Sequence, residues 1–402
     1  MWTGRWRPVA AGALALLALA GAAVAACRAT DGSEGPAVWR AYPGAFTAPA
    51  GATAAATLLM PAPDGCFYAI GPVDAGQRRW TGTWRGTADC ATVRREWPVE
   101  LPPTSPQITE RETVVDAVEG PQDWLTVSAT TAGDAAWATT SRGTPEHWEA
   151  GQLRTPRDAA GDVPAGIGVV RGRFAVVGLH GTAPTVYLSP GYGPWDDRPL
   201  PQPRNGGDDV RPLAVAGAPG RYRLDSGTRR LVEDVGPAVA VGRSGDRAVV
   251  WTSRDGGAEW SADTPAGATE LTDVVHDGSA FVAVGAAGRS ALVLTSDNGS
   301  IWAPDRRGVP AGALPWRAVF ALRPPTGRGE PMVLGGPAAP PPAVYAVGPA
   351  AEHDCATAWR RDEGAWVAEP LGCHGVPTAL LRLPDGRIAA VSGTTLLLRQ
   401  HL

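Results

Sequence analysis

Two stretches of the chain, SRDGGAEW (253–260) and TSDNGSIW (295–302), fit one frame, Ser/Thr-x-Asp-x-Gly-x-x-Trp. Each follows an apolar run, AVVW in the first case and ALVL in the second. A strand ending in this frame opens a tight turn. The Asp carboxylate accepts backbone N–H groups about two residues on, and Gly takes the positive φ that the reversal needs. The Trp then starts the returning strand, where its ring covers the hairpin. Upstream stand AVAVG (238–242) and FVAVG (281–285), offset by one residue more than the boxes are. The intervening hairpin is therefore expected to be one residue shorter in the second copy. A fixed period of this size with short strands marks a repeat architecture.

These residues resemble the Asp-box (BNR) repeat of sialidase-like β-propellers. The resemblance implies radial four-stranded sheets with the boxes at rim turns, away from any catalytic centre. Ser253, Asp255, Gly257 and Trp260, and Thr295, Asp297, Gly299 and Trp302, are thus expected to be structural.

Degenerate copies extend the pattern. SRGTPEHW ends at Trp148, SPGYGPW at Trp195 and RRDEGAW at Trp366, while TVRREW keeps only Trp97. They follow the apolar strands CFYAIG, WLTVS, FAVVG and MVLGG, which with the two full boxes makes six units. The seventh is split. ALLRLPDGRIAAVSGTTLLLRQ supplies three strands at the C-terminus, and EGPAVWRAYP, with Trp39, supplies the outer strand from the N-terminal side. The expected fold is all-β: a seven-bladed β-propeller, six blades being the alternative, closed by the N-terminal strand joining the C-terminal blade. LPPTSPQITERE, PLPQPRNGGDD and GGPAAPPPA read as surface insertions, leaving one domain over 37–402.

Residues 1–26 read as a leader: Arg5 and Arg7, an Ala/Leu-rich apolar segment, then VAAC. This resembles a bacterial lipobox, which implies cleavage before Cys27, acylation of Cys27 and a tether over 27–36. A signal peptide cut elsewhere and an uncleaved anchor are the alternatives. The expected address is the outer face of the cytoplasmic membrane. Four further cysteines form two local pairs, Cys66 with Cys90 and Cys355 with Cys373, expected as disulfides in an exported chain. His353, Cys355, Cys373 and His374 are the rival zinc set. Losing Arg5 and Arg7 takes the formal charge from −4 to about −6. All 36 basic residues are Arg, and no basic stripe is present to neutralise phosphates, so nucleic acid is not an expected partner.

Sialidases hold a carboxylate with three Arg and use a Tyr–Glu nucleophile pair and an Asp acid/base. Arg40 in WRAYP is a loose match to the first of those Arg. None of the six Tyr lies in a segment that matches the nucleophile site. His180 and His276 read as turn or strand-end residues. Asp196, Asp197, Asp208 and Asp209 flank a loop that offers a weak calcium reading, with solvated charge as the default. YRLDSGTRR and RNGGDD mark the loop face expected to meet a partner. The reading is a monomeric, lipid-anchored scaffold without cofactor or catalytic residues, binding an unknown protein or glycan. The alternative is a sialidase-like exo-glycosidase acting on envelope or host glycans.

Overall fold

One short motif recurs seven times: FYAIG (67–71), WLTVS (124–128), FAVVG (174–178), AVAVG (238–242), FVAVG (281–285), VYAVG (344–348) and IAAVS (388–392). Each lies in the second strand of an antiparallel sheet. Both faces of such a strand are covered. In the fourth sheet Ala238 and Ala240 pack against the third sheet, while Val239 and Val241 pack against the fifth. In the fifth, Phe281 and Ala283 face the fourth, and Val282 and Val284 face the sixth. That is why these strands are apolar throughout instead of alternating.

The computed structural model describes residues 38–400, apart from 63–64, 77, 88, 97–111, 120–122, 131–134, 142–147, 153–161, 190–194, 205–206, 208, 225–230, 323–341 and 351–354. Trp39–His401 forms one unit. It is a seven-bladed β-propeller, with six blades of four strands and a first blade of five. The innermost strands run in chain order around the axis: Leu58–Pro61, Glu112–Glu119, Asp162–Val170, Val210–Gly217, Glu270–His276, Ala318–Leu322 and Ala379–Arg382. Each neighbours the next blade, and the last meets the first.

Closure occurs as expected. Trp39–Tyr42 pairs antiparallel with Thr395–Arg399 and becomes the outer strand of blade 7. Phe46, Trp84, Leu383 and Leu398 then share one core across the join between blades 7 and 1.

Four inner strands carry a bulge at one level, between Val114 and Asp116, Pro164 and Gly166, Pro212 and Ala214, and Leu271 and Asp273. In blades 3, 4 and 5 the bulge sets a carbonyl over a glycine of the second strand, while blade 2 has Ser128 at that place. A Cβ on Gly178, Gly242 or Gly285 would overlap the carbonyl oxygen of Val163, Arg211 or Glu270.

Because strands alternate in direction, each blade has two ends. The turns between strands one and two and between three and four share the corner face. The turns between two and three, with the links to the next blade, share the opposite face. RNGGDD (204–209) lies in the link from blade 3 to blade 4. YRLDSGTRR (222–230) starts instead on a ribbon, Arg221–Leu224 with Leu231–Asp234, inserted between the first two strands of blade 4. The single loop face expected from sequence is thus two loops on opposite faces. A four-residue motif at a fixed place in each blade would have separated them. MVLGG (332–336) lies outside the described residues, and the second strand of blade 6 is Ala343–Pro349.

Candidate functional site

The corners come first, because they set the rim. At the end of Arg247–Ser253 the Ser253 hydroxyl donates to Asp255 Oδ1 (2.7 Å) and accepts from the Gly257 N–H (2.8 Å). Asp255 Oδ1 also accepts the N–H groups of Ala258 and Glu259, each at 3.0 Å. Burial pushes the Asp255 carboxyl up, but the Glu259, Ser253 and Ala258 hydrogen bonds outweigh it and hold it below the ordinary range. Trp260 Nε1 donates to Gly257 O (3.0 Å).

The second box departs from the expected frame. Ser296, not Thr295, supplies the hydroxyl, and the Asn298 carboxamide oxygen, not Asp297, accepts from Ser300 and Ile301 N–H. Trp302 Nε1 still donates to Gly299 O (3.0 Å). Both second-to-third hairpins have two-residue turns, closed by Ser244 with Arg247 and by Ala287 with Ser290. The residue missing from the second copy is therefore in the box itself and not in the hairpin. Asn replaces Asp without loss, because the role is to accept N–H groups.

A third corner escaped the frame. Thr87 Oγ1 donates to Asp89 Oδ1 (3.1 Å), which accepts Ala91 and Thr92 N–H at 3.0 Å each. Cys90 sits at φ 56°, where the box of blade 4 has glycine. The signal was the spacing Thr-x-Asp without the Trp. Trp97 lies outside the described residues; Trp148, Trp195 and Trp366 lie at or in outer strands, as expected. Trp39 stands inside its strand opposite Arg399, and its indole serves another end.

That end is a buried hub between blades 6 and 7. Trp39 Nε1 donates to Glu369 Oε2 (2.9 Å). Arg399 grips both Glu369 oxygens at 2.9 Å, and Arg360 adds a third contact at 3.3 Å. Glu369 is 6% exposed, so its charge is neutralised inside the fold. Tyr345 lies beside it; burial, then the Glu369 charge, pushes its phenol up to about 12. A Tyr, a Glu and three Arg (360, 382 and 399) are thus gathered in one field. Apart from Arg382, they sit on second, third and outer strands and not on the strands that line the axis. Arg40 lies on the outermost strand, over the Tyr42 ring at 5.2 Å.

On the axis the bulged inner strands of blades 2 and 5 place Asp116 and Asp273 at the same level. Each reaches the next blade: Asp116 Oδ2 accepts Ile167 N–H (3.0 Å), and Asp273 Oδ2 accepts Val319 N–H (2.9 Å). Asp273 Oδ1 also accepts its neighbour Val274 N–H (2.8 Å). The innermost strand of a blade has an unpaired backbone edge, and these carboxylates satisfy part of it. Asp273 is surrounded by protein and half-buried. Burial above all, with the Asp116 charge adding, raises its pKa to about 7 against the Val319 and Val274 hydrogen bonds. Neither Asp was expected from sequence: a lone Asp in an apolar strand signals nothing until the bulge positions are known.

The remaining candidates resolve as follows. Cys66 and Cys90 are bonded, as are Cys355 and Cys373, so the thiolates of the zinc set are spent; His353 lies outside the described residues. Asp196 and Asp197 sit on the outer strand of blade 3, paired opposite Leu188 and Tyr187. Asp209 is held by Arg211 (2.7 Å) and Arg243 (3.1 Å), and the Arg211 hydrogen bond leads in keeping its carboxyl below the ordinary range; Asp208 lies outside the described residues. His276 ends its strand and accepts Gly278 N–H at Nδ1 (3.1 Å), with its ring against Phe281. His180 ends the second strand of blade 3. Cys27 lies outside the described residues.

No protein-family model matches the chain, and no curated protein sequence does. Solved structures do. A streptogramin B lyase structure aligns over 89% of this chain and 97% of its own, at 12% identity and TM-score 0.53. A structure described as YCF48 bound to D1 peptide covers 92% and 97%, at 13% identity and TM-score 0.53. A GH74 enzyme of Niastella koreensis covers 86% of this chain and 52% of its own, at 14% identity and TM-score 0.53. The likeness is one of fold. Enzymes and a peptide-bound protein share it, so the side chains must decide function.

Proposed function

We propose that the chain is a lipid-anchored, extracytoplasmic propeller that works as a binding or assembly scaffold. One observation carries this reading. Of the Tyr–Glu–Arg assembly that a sialidase-like mechanism would need near the axis, Glu369 and Arg399 are spent, with Trp39, on latching blade 6 to the closing strand. The Tyr345 phenol is pushed up to about 12, away from nucleophilic character. The two disulfides suit an oxidising compartment. The peptide-bound YCF48 structure supplies a fold-level precedent for a propeller that holds a polypeptide.

A hydrolytic reading has one point in its favour, the pair of axial carboxylates with one of them raised to about 7. Against it, each carboxylate commits an oxygen to an inter-blade N–H. The anchor is tested by Cys27→Ala, which should move the protein from the membrane fraction to the soluble one; unchanged membrane retention refutes it. The scaffold role is tested by crosslinking the lipidated protein in native membranes and by turnover of a panel of glycoside substrates. A defined crosslinked partner with no turnover is expected. Turnover abolished by Asp273→Asn would replace this reading with the hydrolytic one.

A further inference from the structure

Residue 38 enters the ring at a defined place. Trp39 pairs with Arg399 and Tyr42 with Leu396, so the closing strand runs antiparallel to a third strand that starts at the Ser392–Thr395 turn. That turn belongs to the opposite face. The strand's other end, with Arg399, points to the corner face, and the chain preceding Trp39 therefore departs from the corner face at the rim of blade 7. The root is rigid. Trp39 is 7% exposed and is fixed by its indole bond to Glu369, which Arg399 in turn clamps.

From Cys27 to that root there are only eleven peptide steps, a reach of about 38 Å when fully extended at ~3.5 Å per residue. Laying the opposite face on a bilayer would require this tether first to run along the flank of a blade, about 17 Å for a five-residue strand. Laying the corner face on the bilayer needs no such extension and keeps the chain's freedom. The corner face also carries the most exposed large apolar side chain among the described residues, Ile301 at 76%, on the tip of the blade 5 box, with Arg254 bonded to the adjacent Ser300. An apolar tip beside a guanidinium suits the interface of an anionic bilayer.

We infer that the propeller rides with its corner face toward the membrane. This rests on the lipoprotein reading above. The face turned outward is then the opposite one, built from the two-residue turns at Gly245 and Gly288, the blade links, and the Asp209–Arg211–Arg243–Glu270 ion-pair group. A partner reaching the scaffold from outside the membrane meets that face. The blade 4 ribbon and the Asp boxes stand on the bilayer side.

The test uses the full lipidated chain in vesicles that contain acceptor-labelled anionic lipid. A donor dye is attached through Pro384→Cys or Thr394→Cys. Both positions are exposed turns of blade 7, at its corner and opposite ends respectively, and about one strand spacing (~5 Å) apart across the sheet. The five-residue strand between them spans roughly 17 Å, so transfer to lipid is expected to be about twofold higher from position 384. Equal transfer, higher transfer from 394, or none from either overturns the orientation. Failure of the lipoprotein reading shows separately, as a Cys27→Ala chain that partitions into membranes as the parent does. A third arm, Ile301→Ser, should lower transfer from 384 if the apolar tip touches lipid.

Discussion

Asp273→Asn separates an axial carboxylate that is merely tolerated from one that supports the ring. In the folded protein the carboxyl titrates near 7, against an unfolded value of 3.8. Below about pH 4 the group is protonated in both states and costs nothing. As pH rises toward 7 the unfolded chain releases its proton while the fold retains it, so stability falls, levelling off above the folded pKa. At ~1.4 kcal/mol per unit the three-unit gap is worth up to ~4 kcal/mol, and nearer 2 once the partial exposure of the side chain is allowed for. Asn keeps an oxygen for the Val319 N–H and carries no charge, losing only the Val274 acceptor, and that loss is independent of pH. The variant's stability relative to the parent should therefore rise by about 2–4 kcal/mol between pH 4 and pH 8. Urea unfolding under non-reducing conditions, followed by tryptophan fluorescence at both pH values, reads this directly. An Asn variant whose stability relative to the parent falls between pH 4 and pH 8, or is the same at both pH values, would refute the argument and make the ionised carboxylate a supporting group.

Further predictions follow from the inter-blade ties. Glu369→Ala leaves Arg399 and the Trp39 indole without their acceptor, while Arg360 keeps Asp362 (3.0 Å), and should cost about 3–5 kcal/mol, with limited proteolysis releasing the segment around Trp39 first. Arg361 bridges Asp277 (2.9 Å) and Asp305 (3.3 Å) across blades 5 and 6. Its removal should destabilise by a comparable amount at pH 7 and by less in acid, in denaturant midpoints taken at both pH values. Burial pushes Asp277 up, but the Ala280, Ser279 and Arg361 contacts outweigh it and hold it below the ordinary range, so its contribution is lost as pH falls below that range. Gly299→Ala, at φ 72° and packed on Val239 of blade 4, should cost roughly 1–3 kcal/mol of unfolding free energy. Non-reducing peptide mapping should recover the Cys66–Cys90 and Cys355–Cys373 links, and mispaired peptides would contradict the blade assignment.

The ring and its closure were legible because tryptophan-bearing corners are local: a turn, its acceptor and its ring lie within eight residues. Their internal register was less so. An alignment anchored on Trp302 makes Thr295 and Asp297 the partners of Ser253 and Asp255, although strand pairing puts Ser296 and Asn298 there. Sequence offers no means of telling a shortened turn from a shortened hairpin when both flanks are small apolar residues. The five-residue motif of the second strand marks every blade better than the box does, its glycine answering to the crowding of the bulge in blades 3 to 5, and it would have found VYAVG in blade 6. The axial Asp pair and the Glu369 hub are products of three-dimensional convergence. Trp39, Arg360, Glu369 and Arg399 are scattered over most of the chain and share no spacing that could announce them.

The pairing of Trp39 with Arg399 also has a temporal side. The Trp39 strand must wait until synthesis has passed Thr395–Arg399 before its partner exists. A pairing of such long sequence range closes a very large loop, and its entropic cost places the sealing of the ring late in folding.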